Sequence, residues 1–158
     1  MILYANHAIT SSKDEHREME DMKKASFIGH RDIIGIESEI YSEILKMRAV
    51  GIEEFYSGGM GNFDKMCECA VRKSGGKLIY VPYNKSRIKP ADFEWYDEII
   101  CPIEGDRYSK YDIPERNNWL VKNCDVFLCY IYRNGGAMKT YNKAKNHNKT
   151  LINLYECR

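Results

Sequence analysis

The sequence predicts an α/β fold: one three-layer domain whose mainly parallel sheet of about six strands is flanked by helices. Three observations predict it. From Ala25 onward, short runs rich in β-formers alternate with stretches of helical period. One run, "DVFLCYIY" at 125–132, is almost continuously apolar, as expected of a strand buried on both faces of a parallel sheet. The chain has 158 residues and no low-complexity linker or internal repeat, so a single core suffices.

The segment 1–24 stands apart as a charged leader. "KDEHREMEDMKK" at 13–24 lacks clear periodicity, and Met22 with a basic pair directly precedes the first buried run. This suggests that Met22 is the natural start and that the domain occupies 25–158. The alternative is a short strand, "MILYA", followed by a charged helix.

"SFIG" reads as the first strand of the domain. "ESEIYSEILKMRAVG" reads as a helix, with Ile40, Ile44, Leu45 and Met47 on one side and Gly51 as its stop. "EEFYSG" is a strand. "NFDKMCECAVRKSGG" is a helix with Asn62 as N-cap and Gly75-Gly76 as its end. "KLIYVPY" is a strand, "KPADFEWYDEI" a loop or short helix, and "EIICPI" another strand. "IPERNNWLVKNC" is a helix with Pro114 in its first turn. After "DVFLCYIY", "GGAMKTYNKAKNHN" is a helix entered through glycines, and "TLINLY" is the last strand. Right-handed crossovers then place the strand ends on one edge, where such sheets bind ligands.

The chain carries 24 basic and 23 acidic residues, a net of +1. That near-balance argues against nucleic acid as a partner, since phosphate neutralisation usually needs a basic excess. A local basic run remains: Arg72, Lys73, Lys77, Lys85, Arg87 and Lys89, read first as a solvated surface. No apolar run is long enough to span a bilayer, and no signal-peptide pattern is present. No membrane partner and a cytoplasmic location are therefore expected, with the six cysteines reduced. Cys67 and Cys69 point about 200° apart on a helix, so no metal is expected there, and no cofactor is expected elsewhere.

Four segments with chemistry converge on the predicted edge. Gly29, His30 and Arg31 follow the first strand. "SGGMGNFD" follows the second, with Ser57, Gly58, Gly59, Gly61 and Asp64. Pro82 and Tyr83 end the third. Gly135, Gly136 and Ala137 follow the fifth, and Arg116 and Asn117 lie early in the helix before it. Glycines ahead of a helix N-terminus leave unpaired N–H groups that bind anions, phosphate above all. Two such starts suggest a ligand with phosphate plus ribose or base. Arg31 suits phosphate through its planar fork, or an ion pair. His30 suits a ligand or the ordering of its loop. Asp64 suits a ribose hydroxyl, or the helix dipole. Trp95 and Tyr96 suit a lid that stacks on a base, or packing.

In this order, "FIGHR", "FYSGGMGNFD", "VPY", "ERNNWLVKNCDVFLCYIYRNGGA" and "TLINL" resemble the SLOG superfamily, most closely its YpsA-like branch, over residues 25–155. The resemblance implies a Rossmann-like domain that binds nucleotides or nucleotide-derived ligands, and a homodimer. Some members are LOG phosphoribohydrolases, which cleave the N-glycosidic bond of nucleoside monophosphates. Others are related to the DNA-processing protein DprA or sense nucleotide-derived signals, some within antiphage systems. Arg116 matches the LOG arginine, Asp125 the following aspartate, and Gly135-Gly136 the paired glycines. Asn117 replaces the LOG lysine. The catalytic glutamate has no counterpart: its place falls at Thr140 or Asn142, and no acid occurs between Val126 and Tyr155. Ile28 and Ala137 stand where the branch often carries hydroxyls. Glycosidic cleavage needs a carboxylate, so the expectation is ligand binding or sensing without LOG-type catalysis. The alternatives are a nucleotide N-glycosidase using Asp64 and DprA-like binding of single-stranded DNA.

Overall fold

The computed structural model describes residues 2–5 and 23–157. In chain order the elements are β1 (Ile2–Ala5), β2 (Lys24–Gly29), α1 (Glu37–Ala49), β3 (Glu54–Ser57), α2 (Gly61–Ser74), β4 (Lys77–Tyr80), α3 (Asp92–Trp95), β5 (Glu98–Cys101), α4 (Asp112–Asn123), β6 (Val126–Tyr130), α5 (Gly136–Asn146) and β7 (Thr150–Asn153). They form one seven-stranded sheet in the order β1-β5-β4-β3-β2-β6-β7. β2 to β7 are all parallel, as expected of this α/β class. β1 adds an antiparallel edge, with Ile2 opposite Cys101 and Ala5 opposite Glu98. Residues 2–5 of the expected leader, "ILYA", thus supply a strand; Met1 and residues 6–22 lie outside the described residues.

Strand alternation builds two cores, because successive side chains face opposite sides of the sheet. Phe27, Phe55, Leu78 and Leu128 meet Ile40 and Ile44 of α1 and Phe63 and Val71 of α2 on one face. Ile28, Tyr56, Ile79 and Phe127 meet Leu120 and Val121 of α4 and Ala144 of α5 on the other. β6 is buried at every position, as its apolar run predicts.

The helix ends correct one expectation and meet another. α2 starts one residue before Asn62, with Met60 at the N-cap position and no side-chain cap. Asn62 instead donates its backbone N–H to the Arg31 carbonyl at 2.8 Å. The C-terminal glycine does serve as expected: Gly75 takes φ 76° and closes the helix. α3 is not a lid over the strand ends. Tyr96, just after it, stacks on Tyr80 with ring centroids 4.5 Å apart. The Tyr96 hydroxyl lies 2.8 and 2.9 Å from the two carboxylate oxygens of buried Glu68. Trp95 Nε1 donates to the same carboxylate at 3.3 Å.

The order of strands also fixes where a ligand can enter. From β2 the chain steps outward through β3, β4 and β5, then returns to place β6 on the other side of β2. The loops after β2 and β6 therefore diverge and leave a crevice at the carboxyl edge, the usual ligand position in open parallel sheets.

Candidate functional site

A cleft of about 460 Å³ occupies that switch point. One wall is the β2 end, Gly29 to Arg31; the other is the start of α5, Asn134 to Ala137. Met60 and Asp64 from α2 and its approach, with Arg116 and Asn117 from α4, close the back. The volume suits a small ligand.

The start of α5 is the most open polar feature of the cleft. Gly135 sits at the N-cap position with φ 145°, a conformation that favours glycine. There is no side-chain cap and no acid in the first turn. A Cβ on Gly135 or Gly136 would meet nothing within 4 Å. Among the described residues, the first backbone N–H in this helix with a protein acceptor is that of Lys139, bonded to the Gly135 carbonyl at 3.1 Å. The preceding N–H groups face the cleft with the positive end of the helix dipole behind them. Arg31 stands exposed on the opposite wall and forms no ion pair with a described residue.

The run "SGGMG" behaves differently, although it prompted the same expectation. Its glycines make room for the protein itself. A Cβ on Gly58 would lie 2.6 Å from the Arg116 guanidinium, one on Gly59 2.7 Å from the Tyr80 ring, and one on Gly61 2.6 Å from the Arg31 Cα. Gly59 and Gly61 also take positive φ, 65° and 85°. Three N–H groups here are already used: Met60 donates to Asp64 Oδ2 at 2.9 Å, Gly59 to Ser57 Oγ at 3.0 Å, and Asn62 to the Arg31 carbonyl. Ser57, Gly58, Gly59 and Gly61 lie outside the cleft lining, as do Pro82 and Tyr83. The Ser57 hydroxyl donates to Glu68 at 2.9 Å, so it serves the buried network rather than a ligand.

Arg116 reaches the cleft, yet most of its donors hold the protein together. Its Nη1 donates to the Gly58 carbonyl at 2.8 Å and to the Val81 carbonyl at 3.0 Å, and its Nε to Asn117 Oδ1 at 2.9 Å. It ties the ends of β3 and β4 to α4. Burial lowers its pKa, against the pull of nearby Asp64. Asp64 is the cleft's only carboxylate among the described residues. Burial pushes its pKa up to about 7, although the Met60 N–H and Arg116 both favour the charged form.

His30 is buried and orders the opposite loop: its Nε2 accepts the Tyr132 N–H at 3.3 Å. Burial and nearby Arg133 lower its pKa, and an acceptor role for Nε2 leaves Nδ1 as the protonated nitrogen of the neutral ring. Thr140 is buried and lines the cleft, whereas Asn142 is exposed and does not. Of the two positions at which the resemblance places the LOG glutamate, Thr140 is the one that lines the cleft. Its hydroxyl donates to the Gly136 carbonyl at 3.1 Å and accepts from Asn117 Nδ2 at 3.2 Å. Ile28 and Ala137, the two residues in place of hydroxyls, both line the cleft.

Sequence reasoning passed over Met60 and Arg133, which the fold brings to the same cleft. Arg133 lies two residues before the glycine pair, so adjacency alone was a usable signal. Met60 had none, because its sulfur is placed by a turn: it accepts from Arg116 Nη2 at 3.2 Å. No group of three His, Cys, Asp or Glu side chains among the described residues gathers to hold a metal. Nor is any helix among them long and apolar enough to cross a membrane.

No family model and no curated protein gives a significant match to the sequence. Solved structures do match. DNA processing protein A from Streptococcus pneumoniae has a TM-score of 0.68 at 16% identity, covering 85% of this chain and 50% of that one. DNA processing protein A from Helicobacter pylori, which binds single-stranded DNA, has a TM-score of 0.67 at 19% identity, covering 85% and 66%. The molybdenum cofactor binding protein of Rippkaea orientalis has a TM-score of 0.59 at 16% identity, covering 83% and 75%. The chain thus spans half the length of the pneumococcal protein and just under two thirds of the Helicobacter one. These likenesses show the fold, the Rossmann-like α/β arrangement that the motif order suggested. The exclusion of nucleic acid drawn from net charge finds no support among these neighbours.

Proposed function

We propose that this chain binds or senses a nucleotide or nucleotide-derived small molecule in the cleft between β2 and β6. The observation that carries this reading is the uncapped start of α5. It lines a cleft at the switch point together with Arg31, which forms no ion pair with a described residue. A phosphate there gains hydrogen bonds, the helix dipole and a guanidinium together. The apolar floor of Phe27, Ile28, Leu120 and Phe127 suits a base or ribose face. Thr140 in place of an acid argues against LOG-type hydrolysis, because a hydroxyl cannot carry the charge that glycosidic cleavage develops. The homodimer implied by the resemblance belongs to this reading, and sedimentation of the purified protein tests it.

The test is a thermal-shift screen with AMP, ADP-ribose, NAD, cyclic ADP-ribose isomers and cyclic dinucleotides. A ligand of the native state raises Tm by mass action. Gly136→Leu and Arg31→Ala are expected to remove the shift while leaving the unliganded Tm unchanged, since both positions are exposed. A shift that survives both variants, or no shift with any compound, overturns the proposal.

One observation favours a second reading, a nucleotide N-glycosidase. Asp64, pushed up to about 7, exchanges a proton near neutrality as a general acid or base must. Release of free base from nucleoside monophosphates, lost in Asp64→Asn, would support it; no release would dismiss it.

A further inference from the structure

Beside the cleft lies a second surface that the small-molecule reading leaves unexplained. The basic run at 72–89 does not survive folding as one patch. Arg72 pairs with Asp97 at 3.2 Å, and Lys77 with Glu98 at 2.7 Å. Lys85 and Arg87, however, sit on the loop after β4, and a second loop before α4 brings Arg107 and Lys110. None of these four forms an ion pair with a described residue.

Tyrosines interleave with these cations. The Arg87 guanidinium lies 5.4 Å from the centroid of the Tyr83 ring. Tyr83 meets Tyr108 edge-on at 5.8 Å. The Lys110 ammonium lies 5.1 Å from the Tyr111 ring. Tyr108 and Tyr111 are 64% and 58% exposed, although buried sites were open to them by type. A large aromatic left in water beside an unpaired cation is a group without an internal task.

The two loops are held as one. Buried Asn84 donates to the Arg107 carbonyl at 2.9 Å and to Asp112 Oδ2 at 3.3 Å. The same Asp112 oxygen accepts the Ser109 N–H at 2.8 Å. The rings are therefore presented on a fixed support. The surface also adjoins the cleft: Ile113, two residues after Tyr111, lines it, and Tyr83 follows the Val81 carbonyl that Arg116 holds.

We propose that Tyr83, Arg87, Tyr108, Lys110 and Tyr111 form a stacking platform for single-stranded nucleic acid, extending outward from the cleft. Alternating rings and cations match alternating bases and phosphates, and ring stacking needs no particular sequence. An acidic peptide would use the cations and leave the rings idle. Glu104 and Asp106 on the second loop offset part of the charge, so binding is modest and sensitive to salt. The inference rests on different residues from the cleft proposal and stands or falls separately.

The experiment measures fluorescence anisotropy of a labelled oligo-deoxythymidylate of about 12 nucleotides, a length within the range of known single-strand platforms. It is run at low and at physiological salt, beside thermal shift with the best mononucleotide. Tyr108→Ala and Tyr111→Ala should each weaken oligonucleotide binding about tenfold, and Arg87→Ala should flatten the salt dependence. Tyr108→Phe keeps the ring and should bind as the wild type does. Mononucleotide binding should be unchanged throughout. Absence of oligonucleotide binding at low salt overturns the inference while leaving the cleft proposal intact, as does binding that all variants retain. Self-association of the wild type, lost in the tyrosine variants without any oligonucleotide binding, would assign the surface to a second copy of the chain and likewise overturn it. Oligonucleotide binding that depends on the tyrosines without any mononucleotide shift would uphold it and remove the cleft proposal.

Discussion

Asp64 and Arg116 share the back of the cleft, and the energetic character of each follows from burial. A carboxyl whose folded pKa is about 7, against an ordinary 3.8, binds its proton more tightly in the folded state. Between those values the folded state holds more protons than the unfolded one, so this group makes stability fall as pH rises from about 4 to 7. The loss is of the order of a few kcal/mol, since each pKa unit corresponds to about 1.4 kcal/mol. Asp64→Asn keeps an acceptor for the Met60 N–H and removes the titration. We expect urea unfolding at pH 5, 6, 7 and 8 to show a flatter profile in the variant, with the difference greatest at pH 8. His30, whose folded pKa is lowered, acts the opposite way: its contribution is lost as pH falls below its ordinary value of 6.5. The comparison with the variant isolates Asp64. Arg116 makes a different prediction. Arg116→Met leaves the Gly58 and Val81 carbonyls without their donor, at a cost of roughly 2–4 kcal/mol in urea unfolding. Parallel profiles for Asp64→Asn and wild type, or a stable Arg116→Met, would refute these assignments.

At the scale of elements, the two glycine-led helix starts have separate tasks. α2 begins against its own chain, with N–H groups taken by Asp64, Ser57 and the Arg31 carbonyl; α5 begins against an open cleft. A substitution in the first loop therefore damages packing: Gly59→Val drives a branched side chain into Tyr80 at a positive φ and should lower Tm whether or not ligand is present. The far end of α2 predicts a simpler effect. Gly75→Ala places a Cβ in the left-handed region, at a cost of about 1 kcal/mol in chemical denaturation. The Glu68 network anchors α3 away from the cleft. Tyr96→Phe should cost about 1–2 kcal/mol by removing a donor to a buried carboxylate, with ligand affinity unchanged. A loss of affinity in that variant would restore a lid role for this segment.

At the scale of the molecule, stability concentrates where the sheet is covered on both faces. β4, β3 and β2 are central and β6 is buried at every position, while β7 is an edge whose burial is incomplete. Native-state hydrogen exchange should protect Phe127–Cys129 most and Thr150–Ile152 least; the reverse order would contradict this sheet order. The same burial explains why so much was legible. β6 announced itself as an unbroken apolar run, and α1 and α2 by period and terminal glycine. Such signals are local: each strand or helix buries a face whose spacing is written in consecutive residues. β1 was harder to read, because four residues carry no period and their pairing with β5 is a long-range event. The site divided the same way. That Gly29, His30 and Arg31 and Gly135 to Ala137 line one cleft was legible because each group lies at or shortly after the end of a strand.

The sequence by itself determined the α/β class, the parallel strands, the approach of the β2 and β6 ends, and the lack of a LOG-type acid after the paired glycines. Only the tertiary structure decided which glycines serve packing and which stay open, where Thr140 faces, and that Lys85 and Arg87 join Arg107, Lys110 and three tyrosines on one rim. The physical reason is range. Secondary structure follows from the burial of neighbouring residues, whereas an open N–H, an unpaired guanidinium or an exposed ring is defined by what the rest of the chain does not bring to it.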